Sequence, residues 1–166
     1  VTHAHGTDFV QINQRTGGGQ WVLLGTYTFN AGTSGNVLIS TTATNGFVIA
    51  DAIRWVRVGE PGGGDDPPPG GEVILDNGDS GVVFDGTWGT NTGVGSYGTN
   101  FRHDNNSNKG LCTATYRPNL EAGYYAVYGW WTDNWNGNDL RVPITIHHAD
   151  GSVRLELNHR TGSQWV

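Results

Sequence analysis

The chain has 166 residues, 27 of them glycine and 36% hydrophobic, with a formal net charge of −6 and a single lysine, Lys109. That balance excludes nucleic acid, which needs a basic footprint, and anionic lipid surfaces as partners. No apolar run approaches the roughly 18 residues that a membrane-spanning helix requires, so membrane insertion is excluded as well.

Taken from the start, Val10 and Ile12 alternate with Gln11 and Asn13, the period-2 signature of a strand with one buried face. Further strands are expected over 20–29, 36–41, 47–58, 73–76, 81–84, 111–117 and 123–131. Val142, Ile144 and Ile146 alternate with Arg141, Pro143 and Thr145, and Leu155 and Leu157 continue the pattern after a turn at Asp150-Gly151. Glycine, asparagine and threonine favour turns and strands over helices, and no stretch combines a helical period with freedom from glycine and proline. The fold class is therefore all-β: an antiparallel β-sandwich or jelly roll. Cys112 alternates with threonines in Cys112-Thr113-Ala114-Thr115 and reads as a buried, inert thiol; as the single cysteine it forms no intrachain disulfide.

Residues 1–22 and 146–166 are two copies of one segment. With one single-residue gap near Gly18, the identities are His3/His148, Ala4/Ala149, Gly6/Gly151, Asn13/Asn158, Arg15/Arg160, Thr16/Thr161, Gly17/Gly162, Gln20/Gln164, Trp21/Trp165 and Val22/Val166. Residues 60–71, Glu60-Pro61-Gly62-Gly63-Gly64-Asp65-Asp66-Pro67-Pro68-Pro69-Gly70-Gly71, carry no apolar side chain beyond proline rings and read as a semi-stiff spacer. The organisation expected is a C-terminal part of one tandem-repeat unit over 1–59, the linker, and over 72–166 the N-terminal part of the next unit, completed by an equivalent of 23–59. The absence of methionine and an opening stretch unlike a signal peptide mark the sequence as processed or excerpted. Three outcomes stay open. The halves close into one permuted domain, they pair with neighbouring copies, or they belong to a longer tandem polypeptide.

Several segments resemble the golvesin C-terminal domain, a module also found at the end of xanthan-lyase-type and other secreted bacterial proteins. They are Ile74-Leu75-Asp76-Asn77, Gly86-Thr87-Trp88, Ser96-Tyr97-Gly98-Thr99-Asn100-Phe101-Arg102 and Ala122-Gly123-Tyr124-Tyr125-Ala126-Val127-Tyr128-Gly129-Trp130. The first half adds Arg15-Thr16, Gln20-Trp21, Leu24-Gly25-Thr26-Tyr27, Phe29-x-Ala31-Gly32 and Val48-Ile49-Ala50-Asp51-Ala52-Ile53-Arg54. The resemblance implies a β-sandwich, secretion, attachment to larger modular proteins and carbohydrate binding.

Among residues that carry chemistry, Trp130, Trp131 and Trp135 cluster beside Asp133, Asn136 and Asn138. Sugar rings stack on aromatic faces while carboxylates and amides bond their hydroxyls, so these six are the candidate glycan contacts, Trp135 in the loop above all. Trp130 and Trp131 point to opposite faces of a strand, which sends one of them into the core. Asp76, Asp79, Asp104 and Asp139 lie in Asx-rich segments with hard oxygen ligands suited to a structural Ca²⁺, although such residues also tighten turns unaided. His147-His148 and His3/His5 sit at hairpin ends; the adjacent pair His147-His148 faces opposite sides of a strand, and the second copy has Asp150 in place of His5, so a structural role suits them rather than a shared metal. No serine-hydrolase, metalloprotease or P-loop pattern occurs, and Asp51, flanked by apolar strand, reads as a structural acid satisfied by Arg54 or a turn.

Two functions fit. One is a non-catalytic extracellular module that binds glycan or mediates surface adhesion. The other is a structural subunit of an extracellular filament assembled head to tail from tandem or strand-exchanged repeats, with polysaccharide replaced as partner by neighbouring copies of the chain. For the second, Arg15, Trp21, Arg160 and Trp165, repeated in both copies of the duplicated segment, are the candidate assembly residues.

Overall fold

The computed structural model describes residues 10–58, 71–132 and 137–153. The described residues form thirteen strands and no helix: β1 (Val10–Ile12), β2 (Val22–Phe29), β3 (Asn36–Ser40), β4 (Ile49–Ala50), β5 (Ala52–Val58), β6 (Glu72–Asp76), β7 (Val82–Asp85), β8 (Gly89–Asn91), β9 (Phe101–His103), β10 (Thr113–Tyr116), β11 (Gly123–Trp130), β12 (Val142–His148) and β13 (Gly151–Val153). Every strand pairing is antiparallel.

One sheet runs β1-β12-β3-β10-β7, with β13 also on β12; a second runs β2-β11-β5-β6; a short third runs β4-β9-β8. The strands alternate as the sequence dictates. In β10, Ala114 and Tyr116 are buried while Thr113 and Thr115 are half-buried, and in β3 Val37 and Ile39 point inward. Val142, Ile144 and Ile146 of β12 extend that inner face. It meets Leu24, Tyr27 and Phe29 of β2, Ile53 and Trp55 of β5, and Tyr125 and Val127 of β11 in one hydrophobic core. Burial of each such large side chain is worth about 1.5–3 kcal/mol, so this sandwich is what holds the chain together.

Strands from the two sides of the linker are interleaved. β11 lies between β2 and β5, and β3 lies between β12 and β10. Residues 10–58 and 71–153 thus share their sheets. The linker lies almost wholly outside the described residues.

Three local departures from the sequence reading have physical causes. The stretch expected as one strand over 47–58 breaks at Asp51, where the chain leaves the β4 sheet for the β5 sheet; the Tyr116 hydroxyl donates to the Asp51 carbonyl at 3.1 Å and fixes that corner. The hairpin after β12 turns on Ala149-Asp150 rather than Asp150-Gly151, with Gly151, at φ 128°, already paired to His148. Strands β8 and β9 carry too little apolar alternation to stand out, because Gly89-Thr90-Asn91 and Phe101-Arg102-His103 are three residues each. Cys112 is fully buried, as its pattern predicts.

Candidate functional site

Three aromatic rings meet at one end of the β2-β11-β5-β6 sheet. Trp130 is the last residue of β11, Trp21 immediately precedes β2, and Tyr97 sits in the loop between β8 and β9. Their ring centroids are 5.2 Å apart for Trp21–Tyr97, 5.2 Å for Trp21–Trp130 and 5.7 Å for Tyr97–Trp130, all tilted or edge-on. All three are half-buried, so each ring keeps surface toward solvent.

The loop bearing Tyr97 is tied to the end of β11 by side chains. The Trp130 indole N–H donates to the Gly95 carbonyl at 2.8 Å, and the Thr132 hydroxyl donates to the Val94 carbonyl at 3.0 Å. Trp130 therefore offers its ring face and not its N–H. Arg54 of β5 stands opposite Tyr128 in register, with its guanidinium carbon 5.7 Å from the Trp21 ring centre and 5.8 Å from that of Tyr128. It is also paired with Glu72 at 2.8 Å. Aromatic faces beside a planar cation and a carboxylate can engage both the C–H faces and the hydroxyls of a sugar.

The other candidate contacts divide. Trp131 is 3% exposed, and its indole N–H donates to the Thr16 carbonyl at 3.2 Å. Asn138 is fully buried; its amide donates to the carbonyls of Gln14 at 2.9 Å and Thr132 at 2.7 Å. Both are buried and bonded to carbonyls of the chain rather than presented to solvent. Asp133, Trp135 and Asn136 lie outside the described residues. Tyr128 shares β11 with Trp130 at the i−2 position that period 2 puts on the same face, whereas the signal for Tyr97 and Arg54 is weak in the sequence, because they come from separate elements.

The acidic candidates for calcium are bonded to the chain itself. Asp104 is fully buried; one carboxylate oxygen accepts from the Val48 and Asn106 N–H groups, each at 3.0 Å, and the other is 2.5 Å from Lys109 Nζ. Asp139 accepts from the N–H groups of Asn45 (2.5 Å), Gly46 (2.7 Å) and Arg141 (2.7 Å). Asp76 accepts from the backbone and side-chain amides of Asn77, and Asp79 accepts from the Asp76 N–H at 2.8 Å. Among the described residues no group of three or more histidine, cysteine or acidic side chains is placed to hold a metal ion. His147 bonds Ser152 Oγ through Nδ1 at 2.6 Å, and His148 lies 5.0 Å from the Tyr27 ring.

Asp51 sits just behind the aromatic cluster. It is 1% exposed, and one carboxylate oxygen accepts the Tyr97 N–H at 3.0 Å, with the Asn77 side chain as a further polar neighbour of the carboxyl. Burial pushes its carboxyl up to about 8, against the lowering effect of the Tyr97 N–H and with a smaller push from the nearby Asp76. Asp76 is raised as well, chiefly by its own desolvation. Of the two partners expected for Asp51, Arg54 or a turn of backbone, Arg54 pairs with Glu72 and the carboxylate is met by backbone, the Tyr97 N–H.

Of the candidate assembly residues, Arg15 donates through Nε to the Asn138 carbonyl at 2.5 Å, and Trp21 belongs to the aromatic cluster. Arg160 and Trp165 lie outside the described residues. Gln14, which the sequence does not single out, is 1% exposed and bonds Ile49 twice: its amide donates to the Ile49 carbonyl at 2.6 Å and its oxygen accepts the Ile49 N–H at 2.6 Å.

The xanthan lyase of Bacillus sp. (strain GL1) is 43% identical over 93 residues, a region covering 54% of this chain and 10% of that protein. The chain thus matches about a tenth of the length of this curated relative. No solved structure matches the chain. The family model of the golvesin C-terminal domain matches residues 1–57 and 73–166. With nearly all of its length so matched, the chain belongs to the golvesin C-terminal domain family.

Proposed function

We propose that the chain is a non-catalytic module that works outside the cell and holds a larger bacterial protein against a polysaccharide. The observation that carries this reading is the half-exposed triad of Trp21, Tyr97 and Trp130, flanked by Arg54 and Glu72. Three rings on separate elements, locked by hydrogen bonds through their loop, form a preorganised apolar platform with polar groups at its rim, as sugar recognition requires. Asp133, Trp135 and Asn136, which follow Trp131 in the sequence, remain candidate contacts on residue type alone. Two things support the non-catalytic part. Asp76, Asp79, Asp104 and Asp139 each accept from N–H groups of neighbouring turns or pair with Lys109, a turn-bracing use of the carboxylate rather than the acid–base use that cleaves glycosides. The matching stretch is also a small fraction of the xanthan lyase.

Xanthan, the polysaccharide in that relative's name, heads the panel for testing. Native gels cast with xanthan or with other anionic and neutral polysaccharides are run with the chain and with Tyr97→Ala, Trp130→Ala and Trp135→Ala. Retardation of the parent by at least one polymer, reduced about tenfold in apparent affinity by each variant with unchanged thermal unfolding, supports the reading. No retardation by any polymer, or retardation that all three variants keep, overturns it.

A further inference from the structure

β1 and β13 lie end to end along the same edge of β12. Val10, Gln11 and Ile12 stand opposite Ile144, Pro143 and Val142, while Gly151, Ser152 and Val153 stand opposite His148, His147 and Ile146. The other edge of β12 is taken by β3. One outer edge is therefore shared by pieces of the two copies of the duplicated segment.

The two registers coincide. Aligning His3 with His148 and Asn13 with Asn158 makes Leu155 the counterpart of Val10 and Leu157 the counterpart of Ile12. Carried on without a break, the β13 register sets Leu155 opposite Ile144, Glu156 opposite Pro143 and Leu157 opposite Val142. Those are the places that Val10, Gln11 and Ile12 hold. The residue types match at every step: apolar against buried Ile144, polar against Pro143, apolar against buried Val142. A single strand slot thus has two claimants in one chain.

The anchors that follow the slot are duplicated too. Asn13 accepts the Arg15 N–H, Arg15 reaches the Asn138 carbonyl, and the Thr16 carbonyl accepts from Trp131. Asn158, Arg160 and Thr161 repeat these residue types. One position differs. Gln14, which bonds Ile49 in both directions, is replaced by His159. The glutamine amide mimics a peptide group and meets the N–H and C=O of one residue at once, whereas the two ring nitrogens of histidine diverge. The resident copy therefore holds the slot more firmly than its rival.

We infer that the β12 edge is a strand-exchange site between two copies of this chain, in which residues 154–166 of one copy enter in place of residues 10–22 of the other. Recognition by strand addition draws its affinity from main-chain hydrogen bonds and its specificity from alternate side chains, and both are supplied here. Exchange conserves the number of strand pairs, so its extent follows protein concentration. Because donor and acceptor are different surfaces, reciprocal donation closes a dimer or ring, and donation that is not returned extends an open chain. The inference does not rest on polysaccharide binding.

The test uses full-length chains in which Cys112→Ala removes the native thiol. Opposed strand positions bring Cβ atoms within about 4.5–5.5 Å, close to disulfide reach. A chain with Ile144→Cys is mixed with one carrying Leu155→Cys and oxidised, and a Val10→Cys/Ile144→Cys chain reports on resident occupancy. The expected result is an intrachain 10–144 disulfide in the control and, in the mixture, a 144–155 disulfide dimer that increases with concentration. Adding Gln14→His to the acceptor should raise the dimer several-fold. A control that closes while the mixture yields no 144–155 dimer overturns the inference, and so does a control that fails to close. A second readout needs no cysteine. A synthetic peptide with the sequence of residues 151–166, added to the parent chain, should perturb the amide NMR signals of Val142–Ile146, and unchanged signals at peptide excess count equally against exchange.

Discussion

The Asp51 carboxylate accepts the Tyr97 N–H at 3.0 Å, joining the corner where the chain changes sheets to the loop that carries one ring of the aromatic cluster. The acid is buried at that corner, and its pKa is raised to about 8, first by desolvation. The protonated form is thus the one the fold prefers.

The pH dependence follows from that preference. In the unfolded chain Asp51 ionises near the ordinary carboxylate value, so its contribution to stability is fully present below about pH 4 and is lost as pH rises toward 8, at about 1.4 kcal/mol per pH unit. Asp76, also raised, acts in the same direction. His103 and His147, held below their ordinary value mainly by burial, act oppositely and cost stability as pH falls through the range where the unfolded imidazole is protonated. Asp51→Asn reproduces the protonated acid and keeps the acceptor for Tyr97. It is expected to flatten the fall in melting temperature between pH 5 and pH 8 relative to the parent, as measured by scanning calorimetry. An unchanged slope would show that Asp51 is ionised in the folded protein.

Lys109 is the only lysine, and it is spent internally. Its ammonium bonds the fully buried Asp104 and the Gly46 carbonyl. Lys109→Met leaves a buried carboxylate without its cation, a loss of about 3 kcal/mol. Urea unfolding should show the midpoint falling accordingly, while Asp104→Asn combined with Lys109→Met should recover part of the loss. A single variant within about 0.5 kcal/mol of the parent would mean that the carboxylate is neutralised by other means.

Much of this fold is legible in the sequence because burial and period-2 alternation coincide. The strands around Val37-Leu38-Ile39, Ala114-Thr115-Tyr116 and Val142–Ile146 could be placed within a residue or two. What escaped were features made by distant segments. Arg54 and Trp21 meet at Trp130 because β11 lies between β5 and β2, and Tyr97 joins them because its loop is bonded to the end of β11; no local spacing announces either. Composition points to Trp131 and Asn138, yet the indole N–H of the first and the amide N–H groups of the second donate to Thr16, Gln14 and Thr132, partners that lie in two different parts of the chain. The acidic turns were ambiguous for a different reason. A carboxylate that caps backbone N–H groups and one that waits for a cation look alike until the donors are located.

Gly46 illustrates a constraint of that same turn. Its N–H donates to the Asp139 carboxylate, and a Cβ built on it would lie 2.5 Å from the Gly137 carbonyl oxygen and 2.8 Å from the Asp139 nitrogen. Both obstacles are backbone, so neither can swing aside. Gly46→Ala should cost about 2–3 kcal/mol through displacement of the 45–47 and 137–139 segments. Gly78→Ala, where nothing lies within 4 Å of the added atom, is the control and should stay within about 0.5 kcal/mol of the parent by the same unfolding measurement.

Gln14 offers the sharpest energetic test of how the first copy of the duplicated segment is held. Its side chain satisfies both the N–H and the C=O of Ile49, a residue with no exposed surface. Gln14→Ala removes both partners at once and opens a small void, and each abandoned backbone group costs about 1–3 kcal/mol. A total loss of about 3 kcal/mol is expected. Gln14→His should fall between the parent and the alanine variant, since one ring nitrogen can restore one of the two bonds. Urea unfolding followed by tryptophan fluorescence ranks the three chains. Should histidine match glutamine, the Ile49 contact would not discriminate between the copies, and residues 10–22 would owe their place to the Val10–Ile12 pairing with β12 and to the Arg15 and Thr16 anchors alone.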